Sequence, residues 1–332
     1  MSHNIETIAY AHKQGANHES YQTPWHGLGV PVSNDLTPHQ MLEKAGLDWS
    51  VDRYPQFIEV DGERVLTGKD VLVRSKDKRI VTHISEDWEP VQNSELGDFM
   101  HEFCLTGDME MNTAGCLATD PDQGPVTVWA LAKVKDSFSL FKGKDQVDSY
   151  LLFSNPHQYG KCIDIRFTAI RVVCNNTLTL ALNSKAQSDL VVRLNHRKKF
   201  DANFVKQTLG IARDNMENYK EMAEFLSKKK FSVDSLKEYY MTVFPSTSQK
   251  KPKNGEEKIS RPARLAMDVV DTQPGHEFGK GTWWQAYNSV TFAIDHLVGH
   301  SQSTRLNSSW YGPNRQKKIK ALETAVAFAE AA

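Results

Sequence analysis

A chain of 332 residues, 39% hydrophobic and 24% charged, is long enough for two domains and has the composition of a globular protein. It contains no apolar run of about 18 residues, which excludes a membrane-spanning helix, and MSHNIETIAYAHKQGANHESYQ lacks the basic start and apolar stretch of a secretory signal. The formal net charge of −1 hides a division: residues 1–150 hold 13 Lys+Arg against 24 Asp+Glu, a balance of −11, and residues 151–332 hold 27 against 17, a balance of +10.

Residues 1–24 are polar and irregular and read as a flexible N-terminal arm. TPWHGLGVPV follows as a packed turn. A helix is predicted over 37–46, with Thr37 as N-cap, Pro38 in the first turn and Gly46 as its stop. Between Pro55 and Ser85 short alternating segments, broken at Asp61-Gly62 and near Asp77-Lys78, predict an antiparallel meander. Leu96, Phe99, Met100 and Phe103 share one face of a predicted helix over 93–105. Strands are predicted near 126–134, 148–155 and 161–173.

In the last of these, Ile163, Ile165, Phe167 and Ala169 share one face, and Asp164, Arg166 and Thr168 the other. Continued alternation would put Arg171 on the apolar face. Arginine is rarely buried without a partner, so a bulge or the strand's end is expected at Ile170. Asn175, Asn176 and Thr177 would then cap a short helix through Leu182. Residues 189–200 begin strand-like and end basic. Helices are predicted over 201–229, with Phe204, Ile211, Met216, Tyr219, Met222 and Leu226 on one stripe, and over 232–243, 282–299 and 314–330. Residues 244–262 read as a flexible loop. The fold class is α+β: an α+β core over 25–200 built on an antiparallel sheet, and a helical region over 201–332 packed on or beside it.

Motifs for catalysis fail on spacing. GHEFGKGT, at 275–282, has three residues where a phosphate-binding loop needs four, and no apolar strand precedes it. His101-Glu102 lacks the second histidine of a zinc protease. His296 and His300 have no third ligand, and nothing orients Cys174 toward His157. Cys104, Cys116, Cys162 and Cys174 form no C-x-x-C pair. No metal or cofactor is expected, and non-enzymatic action is favoured over catalysis.

Basic stretches carry more. Lys161, Arg166 and Arg171 lie along one strand; Arg193, His196, Arg197, Lys198 and Lys199 follow the next; Arg305, Arg315, Lys317, Lys318 and Lys320 flank the C-terminal helix. Tyr159, Phe200, Trp310 and Tyr311 interleave. Cations that hold phosphates beside rings that stack bases are what a single-stranded nucleic-acid groove requires. A solvated charged face would look the same in composition. Arg171, Asn175, Asn176 and Thr177 are expected to form an anion site at a helix N-terminus.

PWHGLG at 24–29, YLLFSNPHQYG at 150–160, FTAIRVVCNNTL at 167–178 and GTWWQAYNSVTFAIDH at 281–296 resemble a phage- and plasmid-associated family of unknown function, number 932. The resemblance runs from about 20 to 325, with RVVC-N-NTL as its most specific block. It implies a phage or mobile-element protein in the cytoplasm of a bacterial host and brings no assigned activity. The architecture is also similar, without a residue-level motif, to annealing proteins of the Rad52 type, which form rings on single-stranded DNA. An acidic face meeting a neighbour's basic face would suit a homo-oligomeric ring. The expected function is therefore single-strand DNA annealing or recombination. A nucleotide- or small-anion-binding enzyme using Arg171 and the Gly275–Thr282 loop, and a non-enzymatic assembly or anti-host protein, are the alternatives.

Overall fold

The computed structural model describes residues 5–11, 29–85, 88–105, 107, 109–120, 124–161, 163–171, 173, 176–178, 191–194, 202–246, 258–299 and 302–332. Two sheets form the first two thirds. The large one joins β1 (Ile5–Ala11), β2 (Val30–Val32), β6 (Met109–Asp120), β7 (Gly124–Leu140), β8 (Asp145–Pro156), β9 (Ile163–Arg171) and β10 (Asn176–Leu178) in the order β10-β9-β8-β7-β6-β1-β2. β11 (Val191–Leu194) also pairs with β9. All the pairings are antiparallel except β1 with β2. The small sheet is the expected meander: β3 (Val51–Val60), β4 (Glu63–Arg74) and β5 (Ile80–Ile84). Asp61 and Gly62, at φ 52° and 86°, make the tight β3–β4 turn in the left-handed conformation that Asp-Gly tolerates.

The first helix, α1 (Pro38–Lys44), has the predicted Thr37 cap, completed by Gln40 reaching back to the Thr37 N–H. α1 and α2 (Asn93–Leu105) cover one end of one face of the large sheet, burying Met41, Leu42, Leu96, Phe99, Met100 and Phe103 against Val128, Ala130, Leu151, Phe153 and Ile165. The helical third is α3 (Ala202–Lys228), α4 (Val233–Val243), α5 (Arg261–Asp268), α6 (Trp283–Phe292) running into a π-helical turn at Ala293–Leu297, α7 (Gln302–Tyr311) and α8 (Pro313–Ala331). These helices form a second core around Trp283, Trp284, Tyr287, Tyr239 and Tyr240 that meets the other end of the same sheet face at Val147 and Ala169. The opposite face buries Trp129, Leu131 and Leu152 under Leu306 and Trp310 of α7. Among the described residues no helix is long and apolar enough to cross a membrane.

Several expectations are corrected. Residues 5–11 of the supposed arm are a strand, whose Ala9 and Tyr10 are buried against β6. The β8–β9 register runs without a bulge from Ser154↔Asp164 to Val147↔Arg171, so Arg171 does enter the apolar face. Asn176–Leu178 pair with β9 as a strand and cap no helix. The loop expected over 244–262 ends early: Ser260 caps α5, which starts at Arg261, and 247–257 lie outside the described residues. β6 and α7 carried no sequence expectation.

Two polar sites knit the first core together. Asn93, buried at the start of α2, donates from Nδ2 to the carbonyls of Leu47 and Trp49, each at 3.0 Å, and its Oδ1 accepts from His157 Nε2 at 2.9 Å. Asn93→Ala leaves these buried groups unpaired and is expected to cost about 1–3 kcal/mol in denaturant unfolding. Arg74, buried over the Trp49 ring, grips Asp77 through Nε at 2.9 Å. That hydrogen bond holds the Asp77 carboxyl down, from 3.8 to about 2. A depressed carboxylate stabilises the fold above its unfolded value and loses that contribution as pH falls through its folded value. Acid unfolding of Asp77→Asn is therefore expected to be shallower than wild type between about pH 4 and pH 2.

Candidate nucleic-acid interface

Arg171 closes β9 with its side chain 2% exposed. Its Nε and Nη2 donate to the two carboxylate oxygens of Asp145 at 2.7 and 2.8 Å. Nη1 donates to the Pro274 carbonyl at 3.1 Å and Nη2 to that of Gly275 at 3.0 Å. Asp145 is fully buried and also accepts from Trp284 Nε1 at 2.8 Å. The guanidinium is thus a clamp joining β8, β9, the turn before α6 and α6 itself. It is not a phosphate ligand, and the expected anion site with Asn176 and Thr177 is corrected accordingly; Asn175 lies outside the described residues. Gly275, at φ +75°, is where the clamp needs glycine: an added Cβ would stand 2.7 Å from Arg171 Nη2.

Lys318 is corrected for the same reason. Its ammonium is fully buried and pairs with Asp295 of the π-helical turn, which also accepts from Ser309 Oγ at 2.9 Å. Arg305 sits within reach of the Asp295 charge, and its buried Nε has no hydrogen-bond partner. Lys317 is half-buried on α8, and its place two residues beyond Arg315 turns it to another side of that helix.

Of the remaining basic residues, Arg166 and Arg315 stand near each other at β9 and the start of α8. Arg166, on the sheet face under α7, donates from Nη2 to Asp164 at 2.5 Å and from Nη1 to the Trp310 carbonyl at 3.1 Å, and its guanidinium lies 5.2 Å from the centre of the Tyr311 ring. Its Nε is buried with no hydrogen-bond partner among the described residues. Arg315, in the first turn of α8, stands close enough that the Arg166 charge acts on it. Burial first, and Arg166 second, lower its affinity for its proton, with Asp164 offsetting them in part. Among the described residues the Arg315 side chain makes no hydrogen bond or ion pair; its backbone N–H donates to the Gly312 carbonyl at 3.1 Å. Asp164 therefore pairs with Arg166, and its charge also acts on the half-buried Arg315.

Arg193 stands opposite Asp164 in the β9–β11 register, and β11 ends at Leu194 opposite Ile163. Lys161 is exposed in the turn just before β9, beside Tyr159, which is 52% exposed and 6.2 Å from Trp88. His196, Arg197, Lys198 and Lys199 lie outside the described residues. Asp164 is the member that the sequence reading leaves out of the site; Arg315 is among the basic residues it places beside the C-terminal helix. The one signal available was that Asp164 and Arg166 share a strand face.

The other candidates do not assemble. The turn before α6 presents carbonyls to Arg171, whereas a phosphate-binding loop presents N–H groups. Thr282 Oγ1 donates to the Gly279 carbonyl at 2.5 Å and accepts from Gln285 N at 3.3 Å, which commits it to capping α6. Burial pushes the Cys104 thiol up to about 11, with the Glu110 charge adding to it, so it stays protonated and unreactive at neutral pH. His157 is fully buried, and Cys174 and His300 lie outside the described residues.

These features define an α+β protein with an antiparallel sheet and a helical C-terminal region. The family described as Domain of unknown function (DUF932) matches residues 81–322, and the chain belongs to that family. No curated protein and no solved structure matches the chain. The likeness to Rad52-type annealing proteins accordingly remains an analogy.

Proposed function

We propose that this protein binds single-stranded DNA along the β9–β11 edge, as an annealing or recombination factor of a phage or mobile element. The observation that carries the reading is that Arg315, half-buried and without an ion pair among the described residues, stands near enough to Arg166 for the two charges to act on each other, while Asp164 bonds Arg166. Adjacent half-buried cations repel, and an anion arriving between them relieves that repulsion and satisfies their open donors. Lys161, exposed just before β9, extends the positive charge, and exposed Tyr159 offers a face for a base. Holding and pairing strands breaks no bond, so the reading needs no catalytic group.

The test is the affinity of the full chain for a labelled single-stranded oligonucleotide as salt is raised. With Lys161, Arg166, Arg193 and Arg315 at phosphates, log affinity should fall against log salt with a slope of about −2 to −3. Pairing of two complementary strands should also be faster with the protein present. Absent or salt-independent binding overturns the reading. Thermal stabilisation by a free nucleotide without oligonucleotide binding would favour a small-anion site instead.

A further inference from the structure

A second set of cations gathers at the far end of the same strands. The turn from β7 to β8 carries Lys142 and Lys144, both exposed. Three successive residues there, Phe141, Lys142 and Gly143, hold φ of 52°, 59° and 87°. The left-handed region strains a bulky residue such as phenylalanine, and such strain persists only where the surroundings enforce it. The Phe141 ring supplies the constraint. It packs on the helical core, and it lies so close to Gly279 that an added Cβ there would overlap it. This contact fastens the turn to the loop before α6, next to exposed Lys280.

The end of α3 meets the same loop. Lys230 Nζ donates to the Lys280 carbonyl at 2.5 Å, the Phe231 N–H to the Gly281 carbonyl at 3.1 Å, and the Trp283 N–H to the Lys229 carbonyl at 3.0 Å. Carboxylates offset little of this charge. Glu224 stands 3.9 Å from Lys228, Glu277 faces His276 at 3.4 Å, and Asp234 lies exposed in the first turn of α4. Lys142, Lys144 and Lys280 make no ion pair among the described residues. Lys228 and its neighbours also complement the C-terminal end of α3. That does not account for Lys142, Lys144 and Lys280, which come from a turn and a loop.

Composition narrows the partner. Lysine is depleted from protein–protein interfaces, whose centres are apolar and aromatic. The rings at this surface, Phe141, Phe225, Phe231 and Phe278, are partly buried, and Lys229 covers that of Phe225 at 5.7 Å. A membrane surface is gripped by basic residues together with an exposed apolar helix face, and no such face stands here among the described residues. Ammonium groups with open donors and no apolar centre suit a run of phosphates.

We propose that Lys142, Lys144, Lys230 and Lys280 hold the phosphates of a nucleic-acid strand at a second surface, separate from the Arg166–Arg315 pair. Arg166 lies opposite Leu152 of β8, and Lys144 directly precedes that strand, which puts about 27 Å of extended chain between the two places. They also lie on opposite faces of the sheet, Arg166 under α7 and Phe141 in the core on the α6 side. The lysine surface does not rest on binding at the β9–β11 edge.

Counting single-stranded DNA hexanucleotides bound to the full chain at low salt tests the proposal. A stacked hexanucleotide is about 20 Å long, too short to join the two surfaces. Wild type should bind two per chain. Lys142→Gln with Lys144→Gln and Lys280→Gln, all at exposed positions, should bind one, with unchanged thermal unfolding. The same three positions changed to Arg should still bind two. Arg315→Glu should bind one, and Arg315→Glu with the three Gln changes none. The proposal is overturned by a wild type that binds no hexanucleotide, or by a triple Gln variant that binds as many as wild type. It is also overturned if the triple Gln variant loses only affinity for phosphatidylserine vesicles. A triple Gln variant that binds none, beside an unaffected Arg315→Glu, would keep the lysine surface and remove the β9–β11 edge.

Discussion

Arg171→Ala is expected to lower the unfolding free energy by about 3–5 kcal/mol, among the largest losses of any single substitution in this chain. Truncation strands the Asp145 carboxylate in the core with Trp284 Nε1 as its remaining side-chain donor among the described residues, and it takes from the Pro274 and Gly275 carbonyls the guanidinium that they accept from. Asp145→Ala should cost a similar amount, since it strands the guanidinium instead. The double replacement Arg171→Met with Asp145→Leu should recover much of the loss, because a well-packed apolar pair carries no desolvation penalty. Denaturant unfolding of wild type, the matching singles Arg171→Met and Asp145→Leu, and their double gives the coupling directly. Fully folded Arg171→Ala that had lost oligonucleotide affinity would instead return Arg171 to the ligand role that the fold denies it.

Arg315→Ala is expected to act in the opposite sense. It removes a half-buried charge that Arg166 repels, so stability should hold or rise by a few tenths of a kcal/mol. Oligonucleotide affinity should fall about tenfold, with the salt slope shallower by about 0.7 to 1. Arg315→Glu should fall further, because the new carboxylate would take the place of phosphate beside Arg166. A substitution that leaves the fold intact or firmer while weakening ligand is the signature of a group retained for binding. Reduced stability with unchanged affinity would make Arg315 a structural residue.

Local chemistry made much of the fold legible. Thr37-Pro38 announces α1, Asp61-Gly62 announces the β3–β4 hairpin, and the alternation from Ile163 to Ala169 announces β9. The errors share one cause: the deciding partner is remote in sequence. Asp145 is 26 residues from Arg171, and the Pro274 and Gly275 carbonyls are 103 and 104 residues away, so the strand's own pattern could not show that a cation would be satisfied inside. A bulge was inferred where a long-range ion pair made one unnecessary. Lys318 and Asp295 repeat the lesson on the helices. β1 was missed because Ile5–Ala11 becomes strand-like only beside β6, and its flanking residues are polar. For the site, the basic residues were visible in composition. Which of them were already matched by carboxylates was not.

Photo-crosslinking of a single-stranded oligonucleotide to the full chain, followed by mapping of the adducts, tests most directly where the phosphate path runs. Adducts at Tyr159 and within 193–200, reduced by Arg315→Glu and suppressed by raised salt, are the expected result. Adducts confined to the acidic first half of the chain, or none under conditions where salt-sensitive binding is seen, would contradict the β9–β11 edge as the binding surface.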